Sequence, residues 1–258
     1  MQLNLNADLG ESFGPWPMGD DKRLLNVVNS ANVACGFHAG DPLVMSNTIS
    51  ASKQAGVSIG AHPGFPDLQG FGRRPMTMPA DELRAMIQYQ LAALDGMGRS
   101  MGLPISHVKP HGALNNMACE DRIMADVIAL AVRDFDASLI FLAPVMSQLA
   151  IAGTDAGLNV ALEIFADRAY TASGSLVSRS KPGAVLYTAD ACIAHVQSMI
   201  EAGGIVTEEG AILPTEFHSI CVHGDNAHAV DTALKIRTTL LNQGHELLTL
   251  PQLLSTAA

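Results

Sequence analysis

The chain has 258 residues, of which 48% are apolar, 5% are aromatic and 16% are charged. This length is normal for a single α/β barrel of about 250 residues, and the apolar fraction is sufficient for a large aliphatic core. The formal net charge of −10 disfavours nucleic acid and anionic membrane surfaces as partners. The N-terminus lacks the features of a signal peptide, and no apolar stretch reaches the roughly 20 residues of a membrane helix, so we expect a cytoplasmic protein.

Strand-like and helix-like segments alternate along the whole chain. Strand-like segments at 3–8, 32–38, 57–62, 105–111, 161–168 and 219–225 begin with apolar residues and end on Asp, His, Lys or Arg near a glycine or proline. Shorter strands are predicted at 139–142 and 244–250, and helices at 20–28, 42–54, 79–97, 121–134, 145–152, 189–202 and 227–242. Asp41 is predicted to cap the second helix, with Pro42 at its first position and Gly56 at its end.

This alternation predicts an α/β fold in which about seven parallel strands form an irregular (β/α) barrel, with residues 1–258 as one domain. An open doubly wound sheet shows the same alternation. No GxGxxG motif follows the first strand, which disfavours a dinucleotide-binding sheet, and neither a GxxxxGK[ST] nor a GxSxG motif occurs. In a barrel, the polar residues that end the strands converge on one site at the carboxyl ends of the strands.

The first strand carries a polar face. Asn4, Asn6 and Asp8 alternate with apolar residues, and side chains two residues apart lie on the same face of a strand. A polar column inside a barrel is costly unless it binds something, so we expect Asp8 to be a site residue. The alternative is a water-facing edge strand in which Asp8 and Glu11 belong to a turn.

Two histidines end the next two long strands. His38 and His62 each lie two residues after a glycine, where a ligand is able to approach the backbone. Together with Asp8 they match the Asp/His/His set of a hydrolytic metal site, and a bound divalent metal is therefore one interpretation. The alternative is that both are ordinary histidines of the core or the surface.

Lys109 and His111 flank a proline at the end of the fourth long strand, and His107 shares the face of Lys109. A partly buried lysine acts as a base if its pKa falls, or it holds an anionic group. A surface lysine with a solvated ammonium group is the alternative.

Pairs of polar and charged residues complete the predicted rim, namely Arg73 with Arg74, Asp167 with Arg168, and His223 with Asp225. The two arginines lie in a long glycine-containing loop and are suited to bind carboxylate or phosphate, unless the loop is simply solvated. Asp167 belongs either to an ordinary ion pair or to a carboxylate that orients a histidine. Asp225 is also a candidate cap of the helix that follows it.

Several of these segments resemble the LamB/YcsF family. The resemblance runs in order from Asn6 to Asn226 through NADLGESFGPWPMGDD, SANVACGFHAGDP, IGAHPGFPDLQGFGRR, HVKPHGAL, EIFADRAY, LVSR and CVHGDN. It implies a seven-stranded (β/α) barrel of the glycoside hydrolase and deacetylase type. It also implies ring-opening hydrolysis of 5-oxoproline (pyroglutamate) to L-glutamate, coupled to ATP hydrolysis and carried out with two partner subunits, 5-oxoprolinase subunits B and C. One departure is Asn115, where the family has a tyrosine.

Under this hypothesis Asp8 or His38 is the general base, and one of the other rim histidines protonates the leaving nitrogen. Lys109 and an arginine of the long loop hold the carboxylate or phosphoryl charge. Because the chain has no P-loop, the partner subunits perform at least part of the phosphoryl step. The predicted catalytic residues are Asp8, His38, His62, Lys109, His111, Asp167 and His223, and the predicted substrate-binding residues are Asn6, Glu11, Arg73, Arg74, Arg168 and Asp225.

Two further hypotheses belong to different functional classes. The first is a metal-dependent amidohydrolase or deacetylase that acts alone, with Asp8, His38 and His62 as metal ligands. The second is a non-catalytic subunit that binds the lactam and delivers it. The number of titratable residues at the predicted rim favours a catalytic role over this second hypothesis.

Overall fold

Seven parallel strands close into a barrel in the computed structural model, which describes residues 1–222 and 229–255. In chain order the strands are β1 (Gln2–Leu9), β2 (Ser30–Ala34), β3 (Ser58–His62), β4 (His107–Val108), β5 (Ile140–Pro144), β6 (Asn159–Phe165), β7 (Gly204–Val206), β8 (Ile212–Pro214), β9 (Ser219–Val222) and β10 (Glu246–Leu247). The barrel order is β1-β2-β3-β4-β5-β6-β9, and parallel pairing of β9 with both β6 and β1 closes it. The predicted (β/α) barrel is confirmed, and the open doubly wound sheet is wrong.

Helices connect most of the barrel strands and surround the barrel. In chain order they are α1 (Asp21–Leu24), α2 (Pro42–Ala55), α3 (Ala80–Ser100), α4 (Gly112–Glu120), α5 (Arg122–Phe135), α6 (Gln148–Asp155), α7 (Ala189–Ala202), α8 (Ala229–Asn242) and α9 (Leu250–Ser255). As predicted, Asp41 caps α2 by accepting hydrogen bonds from the amides of Leu43 and Val44, and Gly56 ends it with a φ of 69°. Within residues 1–222 and 229–255, no helix combines the length and the apolar run that crossing a bilayer requires.

Some elements differ from the prediction. β2 ends at Ala34, so His38 lies in the loop that follows the strand, because the chain turns at Gly36 and Gly40 with φ values of 92° and 77°. β4 has only two residues, and residues 112–120 form α4, which was not predicted. The antiparallel β7–β8 hairpin and the terminal α9 were also missed, because such short elements carry little periodic signal.

The aliphatic core lies between the barrel and its helices, whereas the interior of the barrel is polar. Leu5 of β1 belongs to the aliphatic core, and the alternating Asn4 and Asn6 are equally buried on the other face. Inside the barrel, Asn6 donates to Ser219 Oγ at 2.8 Å and Asn32 donates to Asn6 Oδ1 at 2.8 Å. The water-facing edge strand is therefore wrong. Because branched aliphatic residues normally fill such barrels, a hydrogen-bonded polar interior points to function.

Gly60 of β3 makes room for an imidazole inside the barrel. A Cβ atom at this position would overlap the ring of His107 on the neighbouring β4. Gly96 provides a contrast, because it lies on α3 and a Cβ added there would meet no heavy atom within 4 Å.

Replacing Gly60 with Ala should lower the free energy of unfolding by about 1–3 kcal/mol, because the methyl group displaces the His107 ring in a packed interior. Replacing Gly96 with Ala should instead raise it by up to about 1 kcal/mol, because alanine is the better helix former. Urea denaturation of both variants beside the wild type measures the difference. A Gly60→Ala variant as stable as Gly96→Ala would contradict the close packing of β3 against His107.

Candidate active site

A cavity of about 620 Å³ opens at the carboxyl ends of the barrel strands. The residues predicted from sequence that line it are Asp8, Glu11, His62, Arg73, Lys109, His111 and Arg168. His38 is completely buried against the other two histidines, and Asn6 lies deeper inside the barrel. Residues of α4 and of the predicted polar loop at 171–182 form much of the remaining wall.

The ammonium group of Lys109 lies inside the mouth of the barrel and is almost fully buried. Its Nζ is 3.1 Å from Asp8 Oδ1 and 3.2 Å from Glu163 Oε2. It also donates to Asn6 Oδ1 at 3.4 Å and to Cys221 Sγ at 3.0 Å. Burial alone would lower the pKa of Lys109, but the carboxylates of Asp8 and Glu163 raise it well above its usual value. Lys109 is therefore a fixed cation that holds negative charge, not a base with a lowered pKa.

Glu163 is a site residue that was not identified from the sequence. It lies on β6 with no exposed surface, and its Oε2 accepts a hydrogen bond from Asn6 Nδ2 at 3.4 Å beside Lys109. Burial raises the pKa of the Glu163 carboxyl, and the ammonium of Lys109 opposes this shift. A charged residue between Leu162 and Ile164 in an apolar strand is the signal that would have identified it, because unpaired carboxylates are rarely buried.

Asp8, at the end of β1, contacts a different partner with each oxygen. Its Oδ1 accepts hydrogen bonds from Asn32 Nδ2 at 2.9 Å and from Lys109 Nζ at 3.1 Å, and its Oδ2 lies 3.4 Å from His62 Nε2. Asn32 is oriented in turn by His107, whose Nε2 donates to Asn32 Oδ1 at 3.0 Å. Burial lowers the pKa of His107 to about 3, so its ring is neutral and serves to position Asn32.

Three histidines and a glutamate form a cluster beside Asp8. One nitrogen or oxygen atom from each of Glu11, His38, His62 and His111 lies within 4.8 Å of the others. His62 Nε2 and His111 Nδ1 are 3.0 Å apart, and Glu11 Oε1 is 3.7 Å from His38 Nε2 and 3.8 Å from His111 Nδ1. These donors suit a divalent metal ion. The structure thus groups His38 and His62 with Glu11 and His111, and Asp8 of the predicted Asp/His/His set lies beside them.

The arginines predicted to bind anions have different environments. Arg73 lines the cavity. Arg74 forms an ion pair with Asp67, and its side chain is 64% exposed away from the cavity lining. Arg168 is buried at the cavity wall and donates to the carbonyl of Val177 at 2.6 Å, so it holds the adjacent loop in place. Of the predicted pair in the long loop, the structure therefore brings Arg73 to the cavity.

The remaining predicted residues lie elsewhere or are not described. Among the described residues, Asp167 is outside the cavity lining, and its carbonyl accepts a hydrogen bond from the amide of Leu186 at 2.9 Å. His223 and Asp225, including the predicted helix cap, lie outside the described residues. Asn115 lines the cavity from α4, as does Arg179 from the polar loop, which was not singled out from the sequence.

Replacing Lys109 with Met should lower the free energy of unfolding by about 3–5 kcal/mol, because two buried carboxyl groups lose their counter-charge. Adding Glu163→Gln should recover part of the loss, since one of the two carboxyl groups is then neutral. Urea unfolding of the wild type, both single variants and the double variant at pH 7 gives the coupling energy. Strictly additive effects would contradict a direct interaction between the two charges.

Comparison with known proteins gives matches over almost the whole chain. The LamB/YcsF family model matches residues 3–255. The chain is 57% identical to the 5-oxoprolinase A subunit of Azoarcus sp. (strain BH72), over 98% of this chain and 99% of that protein. It is 50% identical to the 5-oxoprolinase A subunit of Tolumonas auensis, over 95% of this chain and 98% of that protein.

Solved structures agree with these matches. The lactam utilization protein from Thermus thermophilus is similar with a TM-score of 0.91 and 39% identity, over 96% of this chain and all of that chain (100%). The peptidoglycan deacetylase PdaC from Bacillus subtilis, with a TM-score of 0.51 and 12% identity over 98% of this chain and 91% of that chain, shares the fold alone. Because the family match spans residues 3–255, the chain belongs to the LamB/YcsF family.

Proposed function

We propose that this chain opens the lactam ring of 5-oxoproline to give L-glutamate, in a reaction coupled to ATP hydrolysis and carried out with partner subunits. The names of its relatives suggest this substrate and a multi-subunit enzyme. The observation that carries the proposal is the position of Asp8 on the cavity wall, with Lys109 at 3.1 Å from one oxygen and His62 at 3.4 Å from the other. A carboxylate between an ammonium and an imidazole is suited to general acid–base hydrolysis of an amide.

Hydrolysis joins the oxygen of water to the ring carbonyl carbon and breaks the bond from that carbon to the ring nitrogen. Asp8 acts as the base that takes a proton from water, and a rim histidine returns a proton to the leaving nitrogen. Lys109 keeps Asp8 ionised, because its buried ammonium lies 3.1 Å from Asp8 Oδ1. Asn32 holds the same oxygen at 2.9 Å and fixes the direction of the carboxylate.

Local positive charge favours an anionic substrate despite the acidic composition of the chain. 5-Oxoproline carries a carboxylate, and the guanidinium groups of Arg73 and Arg179 both line the cavity. A cavity of about 620 Å³ lies within the range of about 300–1,000 Å³ that holds drug-sized ligands. It is larger than a five-membered ring needs, which leaves room for a phosphorylated form of the substrate.

The phosphoryl step is proposed to involve the partner subunits. A lactam amide is stabilised by resonance, so coupling to ATP supplies the driving force for ring opening. The chain contains no P-loop sequence, and we therefore propose that subunits B and C carry out at least part of the phosphoryl transfer. This chain then receives the activated ring and hydrolyses it.

A metal-dependent amidohydrolase that acts alone is the second candidate. The cluster of Glu11, His38, His62 and His111 favours it, because such ligand sets occur in hydrolytic metal sites. This candidate requires lactam hydrolysis without ATP and without partner subunits. A glutamate-release assay with each component omitted in turn separates the two candidates.

Replacing Asp8 with Asn should slow glutamate release from 5-oxoproline at least about 100-fold, because the general base is lost. The assay mixes this chain with its partner subunits, ATP and 5-oxoproline. The matched control is Asp126→Asn, since Asp126 pairs with Arg122 on the exposed face of α5. Full activity of the Asp8→Asn enzyme would rule out this role, and a slow Asp126→Asn enzyme would show that the loss is not specific to the site.

Replacing Arg73 with Gln should raise KM for 5-oxoproline by about tenfold or more, because a charged hydrogen bond to the substrate carboxylate is lost. Arg74→Gln should change KM far less, since Arg74 is paired with Asp67 outside the cavity lining. Initial rates at varied 5-oxoproline concentration measure both effects. A larger change in the Arg74 variant would contradict the placement of the two side chains.

A further inference from the structure

His62 and His111 face each other through nitrogens that carry no proton when the rings are neutral. His62 Nδ1 donates to the Lys109 carbonyl at 2.7 Å, and His111 Nε2 donates to the Phe71 carbonyl at 2.8 Å. Carbonyl oxygens only accept hydrogen bonds, so these two nitrogens hold the ring protons. The other two nitrogens, His62 Nε2 and His111 Nδ1, are 3.0 Å apart. Two lone pairs at this distance repel each other unless a positive charge lies between them.

His38 adds a third imidazole to the same place. Its side chain has no exposed surface, and among the described residues neither of its ring nitrogens has a hydrogen-bond partner. A proton shared between His62 and His111 would satisfy that pair and leave His38 unsatisfied. A cation bound by all three rings would satisfy the whole group, and the Glu11 carboxylate, 3.7 Å from His38 and 3.8 Å from His111, supplies negative charge beside it.

We propose that Glu11, His38, His62 and His111 bind one divalent transition-metal ion, for which Zn²⁺ is the best match. Three imidazole nitrogens and one carboxylate oxygen are donors that Zn²⁺ takes in four-coordinate sites, whereas Mg²⁺ and Ca²⁺ prefer oxygen ligands. Tetrahedral bonds of about 2.0–2.1 Å place ligand atoms about 3.3 Å apart. The observed separations of 3.0, 3.7 and 3.8 Å lie on both sides of this value, so small side-chain shifts suffice.

The surroundings of the cluster fix the proposed ligands in position. The carbonyls of Lys109 and Phe71 set which nitrogen of His62 and His111 faces the centre, as outer hydrogen bonds do in metal sites. Gly72 packs so closely that an added Cβ atom would lie 2.7 Å from His38 Cβ and 2.8 Å from His111 Cδ2. The rings are thus enclosed by backbone that leaves them little freedom.

This inference does not depend on 5-oxoproline as the substrate. When bound, such an ion supplies a Lewis acid and lowers the pKa of water bound to it. His62 and His111 then use their unprotonated nitrogens as ligands, so the proton for a leaving group comes from a residue outside the four. Asp8, 3.4 Å from His62 Nε2, remains beside the site as the base.

Zn²⁺ binding by the untagged, full-length chain tests the proposal without any substrate. The chain is stripped with a chelator, desalted and titrated with Zn²⁺ by calorimetry, and the metal retained after gel filtration is measured by mass spectrometry. We expect about one ion per chain with a Kd below about 1 µM. Co²⁺ in place of Zn²⁺ should give the visible absorption of a four-coordinate site.

Variants identify the ligands. His38→Gln and Glu11→Gln should each weaken Zn²⁺ binding at least about tenfold, whereas the matched control His245→Gln, next to the N-terminal amine, should bind like the wild type. Failure of the folded wild-type chain to retain stoichiometric Zn²⁺ would overturn the proposal, with folding verified by circular dichroism. Unchanged affinity in both ligand variants would also overturn it, because the ion would then bind elsewhere.

Discussion

The buried ammonium group of Lys109 determines how the interior of this barrel is built. It lies between Asp8 of β1, at 3.1 Å, and Glu163 of β6, at 3.2 Å, and β9 separates these two strands in the barrel. Charges in a low-dielectric interior are tolerated only when every polar neighbour is also hydrogen-bonded. Asparagine and serine side chains, such as Asn6 and Ser219, therefore occupy positions that aliphatic residues fill in most barrels.

Asp8 connects this charged interior to the histidine cluster. One oxygen contacts the Lys109 ammonium, the other lies 3.4 Å from His62, and the Lys109 carbonyl accepts the hydrogen bond that orients the His62 ring. The same lysine thus fixes the charge of the proposed base and the direction of a proposed metal ligand. A divalent ion at the histidines and the negative charge on Asp8 would stabilise each other, since both are shielded from water.

The barrel and much of its site were predictable because both leave local patterns. The alternation along β1 identified Asn6 and Asp8, and the polar ends of the other long strands indicated the rim. Glu163 was missed, because its role depends on which strands lie near β1 in the closed barrel. Arg73 and Arg74 are adjacent in sequence, and only their tertiary contacts distinguish them: the chain turns at Gly72 with a φ of 63°, and Asp67 binds the second arginine.

The protonation state of the Lys109 side chain tests the central claim most directly. Nitrogen-15 NMR of the lysine Nζ groups, with Lys109→Arg used to assign the signal, follows its charge as the pH is raised. We expect Lys109 to keep the shift of a charged ammonium and slow proton exchange up to about pH 10, because the carboxylates of Asp8 and Glu163 raise its pKa. Loss of its proton near neutral pH would contradict the buried ion cluster.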